Sequence, residues 1–280
     1  MTLATLCDVL PAANARGAAV LGFVCLGWED ARAYARAAEA AGSPAILQVG
    51  PSARAHMPLR AWGPMLRALG EGAGVPVVVH LDHGASVAEC REAIESGFTS
   101  VMLDGSRLTL DENIAVTREA RELAHAHGVS CEGEIGFVGY SDGAVSNPTD
   151  PAEAARFARE TGIDAMAVSV GNVHLQTSRA TRIDRDALAA IEAGTIEAGA
   201  EVPLVLHGSS GLVAEDRRWA ARGTRVAKMN LGTELRRAFG AALRGVLTGD
   251  GEVFDRRAIL AATEPAMEGA AHEAIAEVWR

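Results

Sequence analysis

Short apolar runs rich in β-branched residues alternate with alanine-rich stretches of helical period along most of the chain, and no other feature restricts the fold so strongly. The apolar runs fall at 18–24, 45–49, 75–81, 100–103, 129–132, 165–170, 203–207 and 225–230. They begin about thirty residues apart. Helix-like segments such as 29–41, 87–96, 112–127 and 151–161 fill the gaps, and several stop at a glycine (Gly42, Gly97, Gly128, Gly162), as helix C-termini commonly do. A strand that reaches the next only through a helix pairs with it in parallel, since antiparallel neighbours need no more than a hairpin. Eight such units with nearly continuous apolar strands predict a closed (β/α)8 TIM barrel rather than an open sheet. The whole chain, 1–280, is expected to form that one domain, with 250–280 as extra C-terminal helix packed outside.

Composition removes several classes of function. A formal net charge of -10 argues against nucleic acid as the partner, because phosphate backbones are held by clustered Lys and Arg. Of the 26 basic residues only Lys228 is lysine. The four cysteines form no CxxC pair, so neither a thiolate metal site nor a disulfide framework is suggested, and reduced thiols in the cytoplasm are the simplest expectation. The first thirteen residues lack the basic start of a signal peptide, and no apolar run approaches the roughly 20 residues of a membrane span.

A barrel of this kind carries its chemistry where the strands end and the βα loops converge. Polar groups fall there in six successive strands: Asp82-His83-Gly84 after the third, Asp104 after the fourth and Glu132-Gly133-Glu134 at the fifth. Asn172-Val173-His174 follows the sixth, His207-Gly208-Ser209-Ser210-Gly211 the seventh and Asn230-Leu231-Gly232-Thr233 the eighth. One histidine at a barrel rim is ordinarily just a satisfied polar residue. Three at separate strand ends, His83, His174 and His207, can converge on one zinc ion, or another divalent metal, and leave a coordination position open. Asp82 should reach the same cavity and could move a proton to or from a substrate hydroxyl, or simply orient a histidine. Asp104 and Glu132 read as groups that brace ligands, and Glu134 as an alternate ligand. The Gly/Ser segment 208–211 and the segment 230–233 sit where barrels often bind phosphate through backbone N–H groups and hydroxyls, although turns use the same residues.

These motifs together resemble the class II, zinc-dependent fructose-bisphosphate and tagatose-bisphosphate aldolases. The resemblance runs over roughly 18–239 and rests on HLDHG (80–84), GFTSVMLDGS (97–106), ENIAVTREARELAHAHGVSCEGEIG (112–136), TGIDAMAVSVGNVH (161–174), PLVLHGSSGL (203–212) and AKMNLGTELRRAF (227–239). It implies that Asp82 exchanges the proton, that His83, His174 and His207 hold the metal, and that Gly208, Ser209, Ser210, Gly211, Asn230, Leu231, Gly232 and Thr233 hold the dihydroxyacetone phosphate half of the substrate. It also implies a homodimer or homotetramer. The chain departs from the family in four places: Leu175-Gln176-Thr177 follows His174 in place of Gly-x-Tyr, Val24 stands where an Asn is common, Ser209 replaces a glycine, and the loop after the fifth strand retains only Asp142 as its acid.

The expected reaction is reversible cleavage of a ketose 1-phosphate, a 1,6-bisphosphate or a ketose with another anionic tail, giving dihydroxyacetone phosphate and an aldehyde. Three other readings compete. Lys228, inward by strand parity, could form an imine with a ketone, but three histidines would then have no task. A zinc hydrolase would use a bound water as nucleophile; such sites often draw paired ligands from the first strand, and 22–24 offers none. A non-catalytic sugar-phosphate-binding barrel would have little use for Asp82. Arg179 and Arg182 beside the altered loop, and Arg256 in an Asp-Arg-Arg stretch, are candidates for an anionic distal group, because guanidinium binds such groups through paired N–H donors; each could equally be an ordinary solvated charge.

Overall fold

A computed structural model describes residues 2–141, 143–249 and 252–279. Eight strands close into a parallel barrel: β2 (Val20–Val24), β3 (Ala45–Val49), β4 (Val77–Gly84), β5 (Ser100–Leu103), β6 (Ser130–Ile135), β7 (Ala165–Val168), β8 (Leu204–Leu206) and β9 (Val226–Leu231). The ring is complete because β9 pairs with β2 and β4 with β5. The outer layer is built from α2 (Trp28–Ala41), α3 (Pro51–His56), α4 (Leu59–Gly72), α5 (Val87–Glu95), α6 (Leu110–Ala126), α7 (Pro151–Thr161), α8 (Arg185–Glu197), α9 (Ala214–Gly223) and α10 (Thr233–Gly249). The tail forms α11 (Arg256–Ala261) and α12 (Glu264–Val278), and α12 packs against α2 and α10, outside the barrel as the sequence indicated. No helix among the described residues is long and apolar enough to cross a membrane.

Local signals set the helix limits. Thr109 and Glu112 make a reciprocal capping box at the start of α6, and Asp150 accepts from Ala152 and Glu153 at the start of α7. Gly42 and Gly162 take the left-handed conformation that ends α2 and α7. Residues 3–15, for which the apolar pattern assigned no element, hold β1 (Leu3–Ala4), paired to β4, and α1 (Leu6–Ala15).

Strand alternation divides the core in two. Leu47, Val79, Leu81 and Met229 face outward into the layer beneath the helices. Ile46, Val78, Met102 and Val205 face inward, where Leu6, Val9 and Leu10 of α1 plug the N-terminal mouth. Continuing inward-facing positions toward the other mouth gives Gln48, His80, Asp82, Glu132, Lys228 and Asn230, all buried. The barrel is therefore apolar and closed at one end, polar at the other.

Candidate active site

At the end of β4 the ladder slips between Leu81 and Gly84, and His83 adopts φ 52°. A non-glycine residue held there costs on the order of 1 kcal/mol, so the surroundings must impose it. Arg54 of α3 does so: its guanidinium donates to the carbonyls of Asp82 (2.9 Å) and His83 (2.6 Å) while pairing with Glu89 (2.6 Å). The bulge turns His83 toward the barrel axis, where it meets His207 from the end of β8 and His174 from the turn after β7.

Hydrogen bonds decide which ring nitrogens remain free. His83 Nδ1 lies 2.7 Å from Asp104, whose other oxygen accepts from the Ser106 amide and hydroxyl. His207 Nε2 lies 3.0 Å from Glu132. Ionised carboxylates only accept, so both contacting nitrogens carry hydrogen. The remaining nitrogens, His83 Nε2 and His207 Nδ1, face each other 2.9 Å apart, close enough to share the proton that His83 carries or to hold one cation in its place. His174 Nε2 is buried with no protein partner. The ligand atoms of the three lie within 4.8 Å of one another. Three convergent imidazole nitrogens, two of them on rings oriented by carboxylates, suit zinc or a similar divalent ion that displaces the His83 proton. A second possible ligand group, His83, Asp104 and Glu134, shares His83.

Charge is distributed to match. Burial alone would lower the His83 pKa, but Asp82, Asp104 and Glu134 outweigh it and raise it to about 10. Burial and the neighbouring His83 charge hold His174 down at about 4 and His207 well below its ordinary value. Burial pushes Glu134 up to about 8. Burial works to raise the Asp104 carboxyl as well, yet the His83 contact and the Ser106 donors keep it below the usual carboxylate range.

His83, His174 and Asp82 open onto a cavity of about 570 Å³, a size suited to a small metabolite, with His207 buried behind them. Asp82 accepts from Asn230 Nδ2 at 3.3 Å. Gly208, Ser210, Asn230, Gly232 and Thr233 also line the cavity. Gly208 takes φ 64°, and a Cβ there would lie 2.4 Å from the Val173 carbonyl oxygen, so only glycine lets the chain turn into the single 3-10 turn Ser209–Gly211. Ser210 Oγ accepts from the amides of Gly232 and Glu234, tying the two loops together. Ser209, Gly211 and Leu231 are buried and do not line the cavity. Tyr140 stacks on His174 with ring centroids 5.0 Å apart. Asp142 lies outside the described residues.

The structure does not bring the three distal arginines into this cavity. Arg179 forks onto Glu277 (2.8 and 2.9 Å), and Arg182 pairs with Glu215 (2.9 Å) and Asp216 (3.4 Å). Arg256 lines two neighbouring cavities with Leu26, Gly27 and Leu260, one of which Arg236 also lines. Two residues not singled out in the sequence stand in the cavity instead. Gln48 is fully buried with neither amide atom partnered, and its inward parity with Ile46 in AILQV was the available signal. Arg236, one turn into α10, has a hydrogen bond to Thr233 (3.2 Å) but no carboxylate partner among the described residues, and burial lowers its pKa. Lys228 is unexposed and committed to Glu132 (2.5 Å) and His80 (3.1 Å), which in turn contacts Ser100 (2.7 Å). An imine-forming lysine must meet the substrate, and this one does not line the cavity.

Comparison with known proteins is consistent with this geometry. The profile of the family described as "Fructose-bisphosphate aldolase class-II" matches residues 4–279. The 6-phospho-5-dehydro-2-deoxy-D-gluconate aldolase of Shouchella clausii is 41% identical over 68% of this chain and 64% of its own length. The fructose-bisphosphate aldolase of Staphylococcus aureus (strain Mu50) is 40% identical over 72% of this chain and 68% of its own. The crystal structure of the YdjI aldolase from Escherichia coli K12 superposes with a TM-score of 0.84 at 28% identity, covering 99% of this chain and 97% of that one.

Proposed function

Since the chain belongs to the class II fructose-bisphosphate aldolase family, we propose that it reversibly cleaves a phosphorylated ketose to dihydroxyacetone phosphate and an aldehyde, using zinc or another divalent metal held by His83, His174 and His207. The observation that carries this reading is the pair of facing nitrogens on His83 and His207, 2.9 Å apart, beside the buried Asp82 carboxylate and a cavity lined by glycines and hydroxyls. When bound, the ion supplies Lewis acidity, polarising the ketone and stabilising the negative charge that develops on its oxygen. Asp82 takes the proton from the hydroxyl two carbons from the ketone carbon. That hydroxyl carbon becomes the aldehyde carbonyl as its bond to the intervening carbon breaks, and the bonding pair moves into the three-carbon fragment. Protonation at carbon then releases dihydroxyacetone phosphate, and Asp142 is the acid we assign to that step from its place in the sequence. Gly208, Ser210, Gly232 and Thr233 hold the phosphate, with Ser209, Gly211 and Leu231 shaping the loops behind them. Gln48 and Asn230 orient the hydroxyls.

The tail of the substrate is anionic in this reading. Arg236 offers a partly desolvated guanidinium with no carboxylate partner among the described residues, and two relatives are named for a phosphorylated keto acid. Arg236 thus takes the role that the sequence suggested for Arg179, Arg182 or Arg256. A panel of 6-phospho-5-dehydro-2-deoxy-D-gluconate, fructose 1,6-bisphosphate, tagatose 1,6-bisphosphate and fructose 1-phosphate, assayed for dihydroxyacetone phosphate, tests the proposal. Anionic-tailed substrates should show the lower KM, and Arg236→Ala should remove that preference. Failure to release dihydroxyacetone phosphate from any of the four would refute it.

Self-association belongs to the same reading. Leu235 is the one buried residue of α10, while Leu247 and Phe254 stand 46% and 92% exposed, apolar surface that a second copy could cover. A cytoplasmic location accords with the four free thiols.

A further inference from the structure

We propose that Arg217 is a positioning residue for the anion-binding loops, acting with Glu234, Glu277 and Arg179 so that the C-terminal helix α12 braces the site from behind. The inference rests on the reading of segments 208–211 and 230–233 as the phosphate site. Arg217 lies in α9 and is 1% exposed. A guanidinium taken so far out of water persists only when its donors are engaged, and every partner recorded for Arg217 belongs to this assembly. Its Nε donates to the carbonyl of Ser209 (2.9 Å). Its two terminal nitrogens fork onto Glu234 (2.7 and 3.1 Å), and one also reaches Glu277 of α12 (3.4 Å).

Those partners are themselves parts of the loops or held against them. The Glu234 amide donates to Ser210 Oγ, which also receives the Gly232 amide, so Arg217 grips both loops at their junction. Glu277 is shared: Arg179 forks onto the same carboxylate, and its Nε donates to the carbonyl of Leu212 (3.3 Å). The 3-10 turn is therefore fastened at two carbonyls, Ser209 and Leu212, by two arginines that meet on one residue of the last helix. Carbonyls held from behind fix the place of Ser210, the residue of this turn that lines the cavity. This assigns Arg179 to the support of the phosphate loops.

The test measures inorganic phosphate binding by calorimetry and KM for a phosphorylated ketose in wild type, Arg217→Met, Arg217→Lys and Glu277→Gln, with Leu10→Ala as a control destabilised at the other end of the barrel. Arg217→Met should weaken phosphate binding and raise KM about tenfold, short of the roughly hundredfold that a 1 Å misplacement can cost, while kcat and zinc affinity stay within about threefold. Arg217→Lys keeps the charge but not the fork and should recover part of the loss. If Arg217→Met does not fold, Arg217→Lys and Glu277→Gln must show the same direction. A phosphate affinity in these variants no lower than in Leu10→Ala overturns the positioning role alone. A wild type that binds no phosphate overturns the phosphate-site reading and this inference with it.

Discussion

The two mouths of the barrel are built from the same eight strands and differ in how their interior groups are satisfied. At the N-terminal mouth Leu6, Val9 and Leu10 of α1 meet Ile46, Val78 and Val205 in an apolar plug, and the Leu6 amide is satisfied by Ser130 Oγ (3.0 Å). Arg225 Nε, just before β9, is the buried side-chain atom there left without a hydrogen-bond partner among the described residues. At the other mouth, side-chain atoms of Gln48, Glu134, His174 and Asn230 are buried without partners, and His83 is held at positive φ. Unsatisfied buried polar atoms cost free energy that folding alone gives no reason to spend. The difference teaches that the C-terminal mouth is shaped for something the folded chain does not itself contain.

Three sets of variants would break or sharpen that contrast. The largest effect belongs to Asp82→Ala, which should lower kcat by roughly 10² to 10⁴, the usual size of a general acid–base contribution, while zinc titration shows binding largely kept. Loss of metal binding in parallel would mean that Asp82 chiefly supports the histidines. Next comes a matched pair across the two mouths. Leu10→Ala should cost about 2 to 5 kcal/mol in denaturant unfolding and leave KM unchanged, because it opens a cavity in the closed end. Gln48→Leu should do the reverse, raising KM up to about tenfold with no loss of stability, since its amide has no protein partner to lose. A stability loss in Gln48→Leu as large as that in Leu10→Ala would erase the distinction between the mouths.

The smallest effect concerns Leu175, which lines the cavity at φ 59°, a conformation that favours glycine. Leu175→Gly removes backbone strain of about 1 kcal/mol but adds a similar amount of unfolded-state entropy. Its Tm should stay within about 4 °C of wild type. A larger fall would show that the leucine side chain holds the loop in place.

The sequence made the barrel and the histidine–aspartate cluster legible because both follow from local pattern: strand periodicity locates the rim, and polar residues at the rim stand out against apolar strands. The rest depended on contacts that no local pattern carries. Arg179 looked free beside an altered loop, yet its partner Glu277 lies 98 residues further on. Arg217, in the charged stretch AEDRRWAARG, carries no local sign of burial, because its partners Glu234 and Glu277 lie in α10 and α12. Arg236 enters the cavity through the direction in which α10 leaves β9. α1 escaped notice because ten residues of modest amphipathicity gain their meaning only from the barrel mouth they fill.

The central claim is that His83, His174 and His207 hold a divalent metal on which aldol cleavage depends. Its most direct test is turnover of a phosphorylated ketose by protein stripped of metal, verified by elemental analysis, and then titrated with zinc. The account predicts that cleavage disappears on stripping and returns in proportion to zinc up to one ion per chain, with no substrate adduct trapped on Lys228 by borohydride. Undiminished turnover by the metal-free protein would contradict it.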